Sequence, residues 1–305
     1  MSDVLIVIPA RYASTRLPGK PLMKIAGVEM LKRVAQIADY VSRKLENCAY
    51  VIATDDERIE AFCRQEGMPS VMTSESCQSG TERCWDAVQS MKKQGVEPKF
   101  IVNLQGDNPL CPPWFLERLI LDWQSQQTQL AASQIAVSNA AQASAELDTL
   151  QAQSTPVSKQ VFTPFVHLSW DELDVLREAK KVTPYSGTTV QINKHDYALT
   201  FSKIILPAMR KEEKLRQTLA KPPVRRHIGL YAYTYDALEA YFNLAPSPYE
   251  DPEGLEQMRF LEHDIPVKMV EVDYQGRIGM SGVDSPEDIE RAEAVIAKCG
   301  EFVFS

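Results

Sequence analysis

The sequence lacks the features expected of membrane, secreted or nucleic-acid-binding proteins. No stretch approaches the ~18 consecutive apolar residues of a membrane span, and no basic region precedes the first apolar run, so a signal peptide is not expected. The net charge of −8 argues against binding to nucleic acid or to an anionic membrane. The six cysteines form no C-x-x-C pair, which favours reduced thiols in a cytoplasmic protein over disulfides or a structural zinc site.

Several motifs of nucleotide and hydrolase chemistry are absent too. The chain contains neither G-x-x-x-x-G-K-[ST] nor G-x-G-x-x-G, which disfavours a P-loop protein and a nicotinamide-dependent oxidoreductase. It has no G-x-S-x-G elbow, so a hydrolase triad has little support. At 305 residues the chain is nevertheless long enough to bury a large core, as one α/β domain or one domain with a smaller lobe.

What the sequence does contain is an alternation of strand and helix patterns. Short apolar runs that end at turn residues predict strands, and apolar residues spaced by three and four predict one-faced helices. This alternation predicts an α/β fold with a parallel sheet and with ligands at the carboxyl ends of its strands. The predicted elements are strands at 5–9, 49–53 and 100–104 and helices at 30–45, 57–66, 79–93, 113–124, 169–181 and 286–298.

The loop after the first strand concentrates positive charge in an otherwise acidic chain. It follows Pro9 and contains Arg11, Arg16 and Lys20 among small residues and a Pro-Gly pair. Because small residues let backbone N–H groups approach an anion, this loop has the layout of a phosphate cradle. The alternative is an ordinary strand-to-helix connection with solvated basic residues.

A second candidate segment opens the helix predicted at 79–93. Gly80 would let a ligand approach the amino terminus of this helix, and Arg83 adds positive charge there. Ser79 and Glu82 fit a capping box, which explains both residues without any function.

Two aspartates are candidate ligands of a cation. Asp107 directly follows the strand at 100–104 and is well placed to hold a hard cation such as Mg²⁺, although a Gly-Asp-Asn-Pro turn explains it equally well. Asp284 precedes the last predicted helix, which either Asp284 or Ser285 can cap. Farther from these loops, His227 and Tyr231 taken alone are typical of structural residues.

The segments that carry these residues resemble, in order and spacing, the CMP-sugar synthetases, and most closely the 3-deoxy-manno-octulosonate (Kdo) cytidylyltransferases. The resemblance covers nearly the whole chain except about residues 138–187. The matching blocks are 8–22, 53–55, 78–83, 102–107, 226–231, 255–257 and 282–288.

This resemblance implies a Rossmann-like α/β fold of the nucleotide-diphospho-sugar transferase kind, with a mostly parallel twisted sheet and helices on both faces. It implies one domain over 1–305, with an inserted segment at 138–187 laid on the sheet and a sugar-binding and dimerisation lobe at 188–260. The implied reaction transfers CMP from CTP to the anomeric hydroxyl of Kdo, releases pyrophosphate and serves lipopolysaccharide synthesis. The implied cofactor is Mg²⁺, and the implied assembly is a homodimer.

The resemblance also implies roles for single residues. The catalytic set is Arg11, Lys20, Asp107 and Asp284, of which Asp107 and Asp284 would bind Mg²⁺. Nucleotide contacts fall on Ala10, Arg11, Ser14, Thr15, Lys20, Thr54, Asp55, Gln78, Ser79, Gly80 and Arg83. Sugar contacts fall on Gln105, His227, Tyr231, Glu256 and Gln257.

The sequence departs from the family pattern on the sugar side. Lys203 stands where the family usually has arginine, Thr189 replaces a lysine, and Asn108 replaces a glutamate. These departures keep a related sugar acid open as the substrate, such as 8-amino-Kdo or a nine-carbon ulosonate. A non-catalytic nucleotide-binding protein is the alternative of a different class, which the retained Arg11 and Asp107 disfavour.

Overall fold

The computed structural model describes residues 2–13, 17–141, 158–280 and 282–304. Its strands are β1 (Val4–Pro9), β2 (Lys24–Ile25), β3 (Val28–Glu29), β4 (Cys48–Thr54), β5 (Ser70–Met72), β6 (Phe100–Asn103), β7 (Val161–His167), β8 (Thr189–Ile192), β9 (Ala198–Ser202), β10 (Arg225–His227), β11 (Tyr231–Thr234) and β12 (Val267–Glu271). Its helices are α1 (Met30–Lys44), α2 (Glu57–Glu66), α3 (Gly80–Lys93), α4 (Pro113–Ala141), α5 (Trp170–Val182), α6 (Glu212–Thr218), α7 (Tyr235–Tyr241), α8 (Glu250–Glu253), α9 (Gln257–Glu262) and α10 (Pro286–Cys299).

One large sheet organises these elements, in the order β5-β4-β1-β6-β11-β7-β10-β8-β9, with β12 added beside β7. The neighbours from β5 to β6 run parallel. From β6 onward the neighbours along this order are antiparallel, while β12 runs parallel to β7. The predicted α/β fold with its largely parallel central part is confirmed, and an antiparallel extension continues it.

Strand β1 lies at the centre of the core. Its residues are fully buried, and they alternate between the two faces of the sheet. Val4, Ile6 and Ile8 pack against α1 and α4, whereas Leu5 and Val7 pack on the opposite face with α3 and α7. A parallel strand covered on both faces needs such an unbroken apolar run. The packing fixes the point at which β1 ends and the basic loop begins.

Helix boundaries follow the predicted signals closely. Asp56 caps α2 by accepting a hydrogen bond from the Arg58 N–H, and Gly67 ends this helix in a left-handed conformation. Helix α4 runs to Ala141 instead of ending at the predicted Gln124. Residues 125–141 are rich in glutamine and alanine and contain no glycine or proline, so nothing in this segment stops the helix.

The expectation that residues 138–187 lie on top of the sheet is wrong for the part that forms β7. This strand belongs to the interior of the sheet and pairs with β11, β10 and β12. Pro164 conceals this strand in the sequence, because proline lacks an N–H for the ladder. Its carbonyl still accepts a hydrogen bond from Ile228 N–H at 3.0 Å. Helix α5 does pack on the surface as expected, whereas residues 142–157 lie outside the described residues.

No helix within the described part of the chain is long and apolar enough to cross a membrane.

Candidate active site

A cleft of about 290 Å³ opens at the carboxyl ends of β1 and β6. Parallel strands meet at this edge, so loops that are far apart in sequence converge there. The cleft is lined by Pro9, Ala10, Arg11, Ala13, Lys20, Pro21, Gln78, Ser79, Gly80, Arg83, Gln105, Gly106, Asp107 and Asp284.

Two glycines allow these loops to come together. A Cβ atom at Gly106 would lie 2.5 Å from the carbonyl oxygen of Pro9, and one at Gly80 would lie 2.7 Å from Gln105 Oε1. Real Cβ atoms essentially never approach other heavy atoms that closely. A larger residue at Gly106 would therefore push apart the loops after β1 and β6, whereas one at Gly80 would displace the end of the Gln105 side chain.

Lys20 joins two carboxylates at the floor of this cleft. Its Nζ lies 2.9 Å from Asp107 Oδ2 and 3.1 Å from Asp284 Oδ1. The Lys20 side chain is 13% exposed. A backbone hydrogen bond from Val283 N–H to the Asp107 carbonyl, 2.8 Å long, ties the two acidic loops together.

The two cleft arginines have different environments. Arg11 is exposed at the end of β1. Arg83 is 2% exposed, and its guanidinium donates to Asp55 Oδ2 at 2.6 Å and to Thr73 Oγ1 at 2.7 Å. Arg83 therefore stabilises the wall of the cleft, whereas Arg11 is placed to meet an anion.

A second group of polar residues lies beside the cleft, where β10, β11 and α9 meet. Tyr231 O–H donates to Gln257 Oε1 at 2.9 Å, and His227 Nε2 lies 2.7 Å from Thr163 Oγ1. The neighbouring Glu256 accepts a hydrogen bond of 2.9 Å from Thr81 Oγ1. Thr81 follows Gly80, so this second group is connected to the cleft through the start of α3.

Burial dominates the electrostatics of the second group. It lowers the pKa of His227 to about 3, with a smaller contribution from the positive charge of Lys203. Burial also raises the pKa of Tyr231, and desolvation by the surrounding protein raises the pKa of Glu256. His227 is therefore a neutral imidazole at physiological pH, and Tyr231 keeps its proton.

Comparison with known proteins places this geometry in a family. The chain matches the family described as cytidylyltransferase over residues 5–269. This chain belongs to the cytidylyltransferase family. It is 40% identical over 301 residues to the 3-deoxy-manno-octulosonate cytidylyltransferase of Maricaulis maris, covering 99% of this chain and 100% of that protein. It is 33% identical to the protein of the same name from Dichelobacter nodosus, covering 96% and 97% of the two chains.

A solved structure agrees with these relatives. The CMP:2-keto-3-deoxy-manno-octonic acid synthetase complexed with CTP superposes on this cytidylyltransferase with a TM-score of 0.70 and 31% identity, covering 97% of this chain and 99% of that one. A cytidylyltransferase from Leptospira borgpetersenii has a TM-score of 0.50 at 15% identity, a likeness of fold alone. The resemblance found in the sequence and the predicted enzyme class, a nucleotidyltransferase, are confirmed.

The predicted nucleotide residues of this cytidylyltransferase fall into three groups. Ala10, Arg11, Lys20, Gln78, Ser79, Gly80 and Arg83 line the cleft. Thr54 and Asp55 do not line it: Thr54 is buried and accepts a hydrogen bond from Asp56 N–H, and Asp55 holds Arg83. Ser14 and Thr15, like Arg16, lie outside the described residues.

The predicted sugar residues are brought together only in part. Gln105 lines the cleft, whereas the other four form the second group beside it. Thr81 and Thr163, which hold Glu256 and His227, were not among the predicted site residues. Thr81 lies within the matching block 78–83 but has no signal of its own that points to Glu256, and Thr163 lies in the strand that Pro164 conceals.

The cleft offers few metal-binding side chains. This number suits a magnesium ion that is held partly by water and substrate better than a metal ion held entirely by protein ligands. No group of three or more His, Cys, Asp or Glu side chains that could hold a metal occurs within the described ranges. Mg²⁺ is usually held by one or two carboxylates together with water and substrate phosphates. Asp107 and Asp284, which accept hydrogen bonds from one ammonium group, supply two such carboxylates.

The predicted alternative roles of the two aspartates are now distinguishable. Ser285 caps α10 by accepting from Asp288 N–H, and Asp288 in turn accepts from the backbone N–H of Asp284. The cap therefore uses the Asp284 backbone and leaves its side chain directed to Lys20. The turn at Asp107 is compatible with a cation contact, because its loop forms the turn while its carboxylate faces the same ammonium.

Proposed function

We propose that this cytidylyltransferase transfers CMP from CTP to the anomeric hydroxyl of Kdo and releases pyrophosphate. The observation that carries the proposal is the cluster of Lys20, Asp107 and Asp284 in a cleft that adjoins the Tyr231–Gln257 group. The names of the relatives from Maricaulis maris and Dichelobacter nodosus support Kdo as the acceptor.

The nucleotide would enter the cleft with its triphosphate toward the basic residues. Arg11 and Lys20 would bind phosphate oxygens, because charge-assisted hydrogen bonds to phosphate are the strongest that these side chains form. Asp107 and Asp284 would hold Mg²⁺, which when bound neutralises phosphate charge and stabilises the leaving pyrophosphate. Gly80 and Gly106 keep the loops close enough to position an in-line attack.

The sugar acid would lie against the second group. Gln257 is 2% exposed, and its Nε2 has no hydrogen-bond partner within the described part of the chain. A buried donor without a partner costs free energy, so an acceptor oxygen of the substrate would stabilise it. Neutral His227 and protonated Tyr231 would keep this surface uncharged while Lys203 supplies a positive charge nearby.

Lys203 is the reason to test related sugar acids. An ammonium group attracts a carboxylate as a point charge and lacks the paired donors of a guanidinium. Its backbone N–H is held by Glu253 at 2.8 Å, so its position is fixed by a neighbouring turn. A substrate with a different tail, such as 8-amino-Kdo or a nine-carbon ulosonate, is the second candidate acceptor.

We include a cytoplasmic homodimer in the proposal. Strand β9 ends the large sheet, and Leu199 on it and Ile204 just beyond it are 61% and 64% exposed. Exposed apolar side chains on an edge strand are typical of a surface that pairs with another chain. Light scattering after size-exclusion chromatography should give twice the mass of one chain, and charged variants of both residues should give the mass of one.

The enzyme assay follows pyrophosphate release from CTP and Mg²⁺ with a panel of sugar acids. We expect release with Kdo, and the D107N variant should lose it while the surface variant D171N keeps it. Release with 8-amino-Kdo or a nine-carbon ulosonate in place of Kdo would favour the second candidate. Binding of CTP without turnover of any sugar acid would reject both and favour a non-catalytic nucleotide-binding protein.

A further inference from the structure

Lys20 occupies the position in which the proposed function puts a divalent cation. Its ammonium group lies within 3.1 Å of one oxygen of each carboxylate, and the side chain is largely buried. The same residue is the best-placed lysine of the cleft for a triphosphate. One side chain therefore has two competing sets of partners, the carboxylates and the phosphates.

The two carboxylates stay close together whether or not the ammonium is present. The backbone hydrogen bond from Val283 to Asp107 joins their loops, and Asp288 fixes the backbone N–H of Asp284 at 3.0 Å. Like charges held at short range favour the binding of a cation between them. Lys20 supplies such a cation in this structure.

The Lys20 side chain can move without any change in its backbone. The backbone is held in a 3₁₀ turn by hydrogen bonds from Leu22 N–H to Gly19 at 2.9 Å and from Met23 N–H to Lys20 at 3.1 Å. The flexible four-carbon stem of lysine lets Nζ reach different partners from one backbone position. Arg83 cannot take this role, because Asp55 and Thr73 already hold its guanidinium.

We propose that Lys20 is an exchangeable counter-cation that makes metal binding depend on the nucleotide. Without nucleotide, the ammonium binds Asp107 and Asp284 and competes with a divalent cation for them. When a nucleoside triphosphate enters, the ammonium moves to a phosphate and no longer competes with the metal for the two carboxylates. This inference rests on the proposed function for the identity of both ligands. By linkage, the metal then strengthens nucleotide binding by the same factor.

The test measures Mn²⁺ binding by the loss of the free-ion electron paramagnetic resonance signal, with and without CTP and with no sugar acid present. The K20M variant keeps most of the length of the side chain and removes its charge. We expect it to bind Mn²⁺ alone about tenfold more tightly than the wild type, and to show a smaller gain in Mn²⁺ affinity on addition of CTP. The K20R variant, which keeps the charge, should resemble the wild type.

Matched controls locate the effect. K24M removes the charge of an exposed lysine that pairs with Glu29, and it should bind Mn²⁺ as the wild type does. Adding D107N to K20M should abolish the tighter binding, which places the ion at the carboxylates. K20Q is a second neutral variant for use if K20M does not fold.

Unchanged or weaker Mn²⁺ binding by the folded neutral variants would overturn the proposal. Because the assay contains no sugar acid, the Mn²⁺ affinities can be interpreted even if Kdo is not the substrate. Conversely, a wild type that releases pyrophosphate with Kdo while K20M shows no gain in Mn²⁺ affinity would reject the role of Lys20 and leave the proposed function standing.

Discussion

Strands β1 and β6 end in charged loops that line the cleft, whereas β10 and β11 carry His227 and Tyr231 within the strands themselves. In the parallel part of the sheet, charged groups face an open cleft and pair through ionic contacts such as that of Lys20 with Asp107. In the antiparallel part, neutral groups are buried and hold one another by hydrogen bonds.

The difference shows how one sheet can bind two chemically different substrates. Loops after parallel strands converge at one edge and can gather charged side chains from distant parts of the sequence. Antiparallel neighbours place side chains directly across from each other, as Tyr231 is placed across from Asn103. We expect the first part to govern charge stabilisation and the second to govern recognition of the sugar acid.

The largest expected effect is on turnover, in the parallel part. D107N removes one of the two carboxylates beside Lys20, so it should lower kcat/KM by about 10³-fold. Steady-state pyrophosphate release measures this loss. The D171N control changes an exposed aspartate in the first turn of α5, and a comparable loss there would show that the effect is not specific to the cleft.

The next largest effect is on stability. It tests whether the main role of Arg83 is to stabilise the wall of the cleft. R83M leaves Asp55 without its guanidinium partner, and the free energy of unfolding should fall by about 3 kcal/mol. Urea titration followed by circular dichroism measures the change. The double variant R83M/D55N should recover part of this loss, and no recovery would show that the ion pair is not its cause.

A smaller effect should appear in the antiparallel part. Q257M removes the acceptor of Tyr231 O–H and the buried Nε2 donor, so KM for the sugar acid should rise about tenfold while KM for CTP stays within about twofold. Q89M is the control, because it removes a glutamine that also contacts a tyrosine hydroxyl, in this case as the donor to Tyr235. An equal rise in both KM values would break the proposed division of the site.

The smallest effect is on the pH dependence of stability. The pKa of His227 is about 3 in the folded protein against its ordinary value of 6.5. The unfolded chain therefore binds a proton that the folded state excludes, and stability falls as pH drops through this window. The titration of His227 should lower the free energy of unfolding by about 0.7 kcal/mol between pH 7 and pH 6.

Urea titrations at both pH values of H227Q should show a smaller loss than the wild type. H195Q, which changes an exposed histidine, should match the wild type. A wild-type pH dependence retained in H227Q would assign the loss to other groups that titrate in this window, among them His167, whose pKa burial also lowers.

The sequence by itself determined most of the parallel part. The unbroken apolar run of β1 and the capping residues of α2 and α5 are local signals, and the structure follows them. The loop with Arg11 and Lys20 was recognisable because basic residues are scarce beside apolar strands in an acidic chain. The order of the blocks identified the family, since that order is a property of the chain alone.

Only the tertiary structure decided which side chains share a site. Lys20 meets Asp107 and Asp284 across 87 and 264 residues of sequence, and such a contact depends on strand order, register and loop packing together. The same holds for Arg83. The local sequence predicts that it binds a ligand, whereas in the folded chain its guanidinium binds Asp55. Strand β7 remained hidden because Pro164 breaks the local pattern, while pairing with its neighbours supplies the stability that the pattern does not reveal.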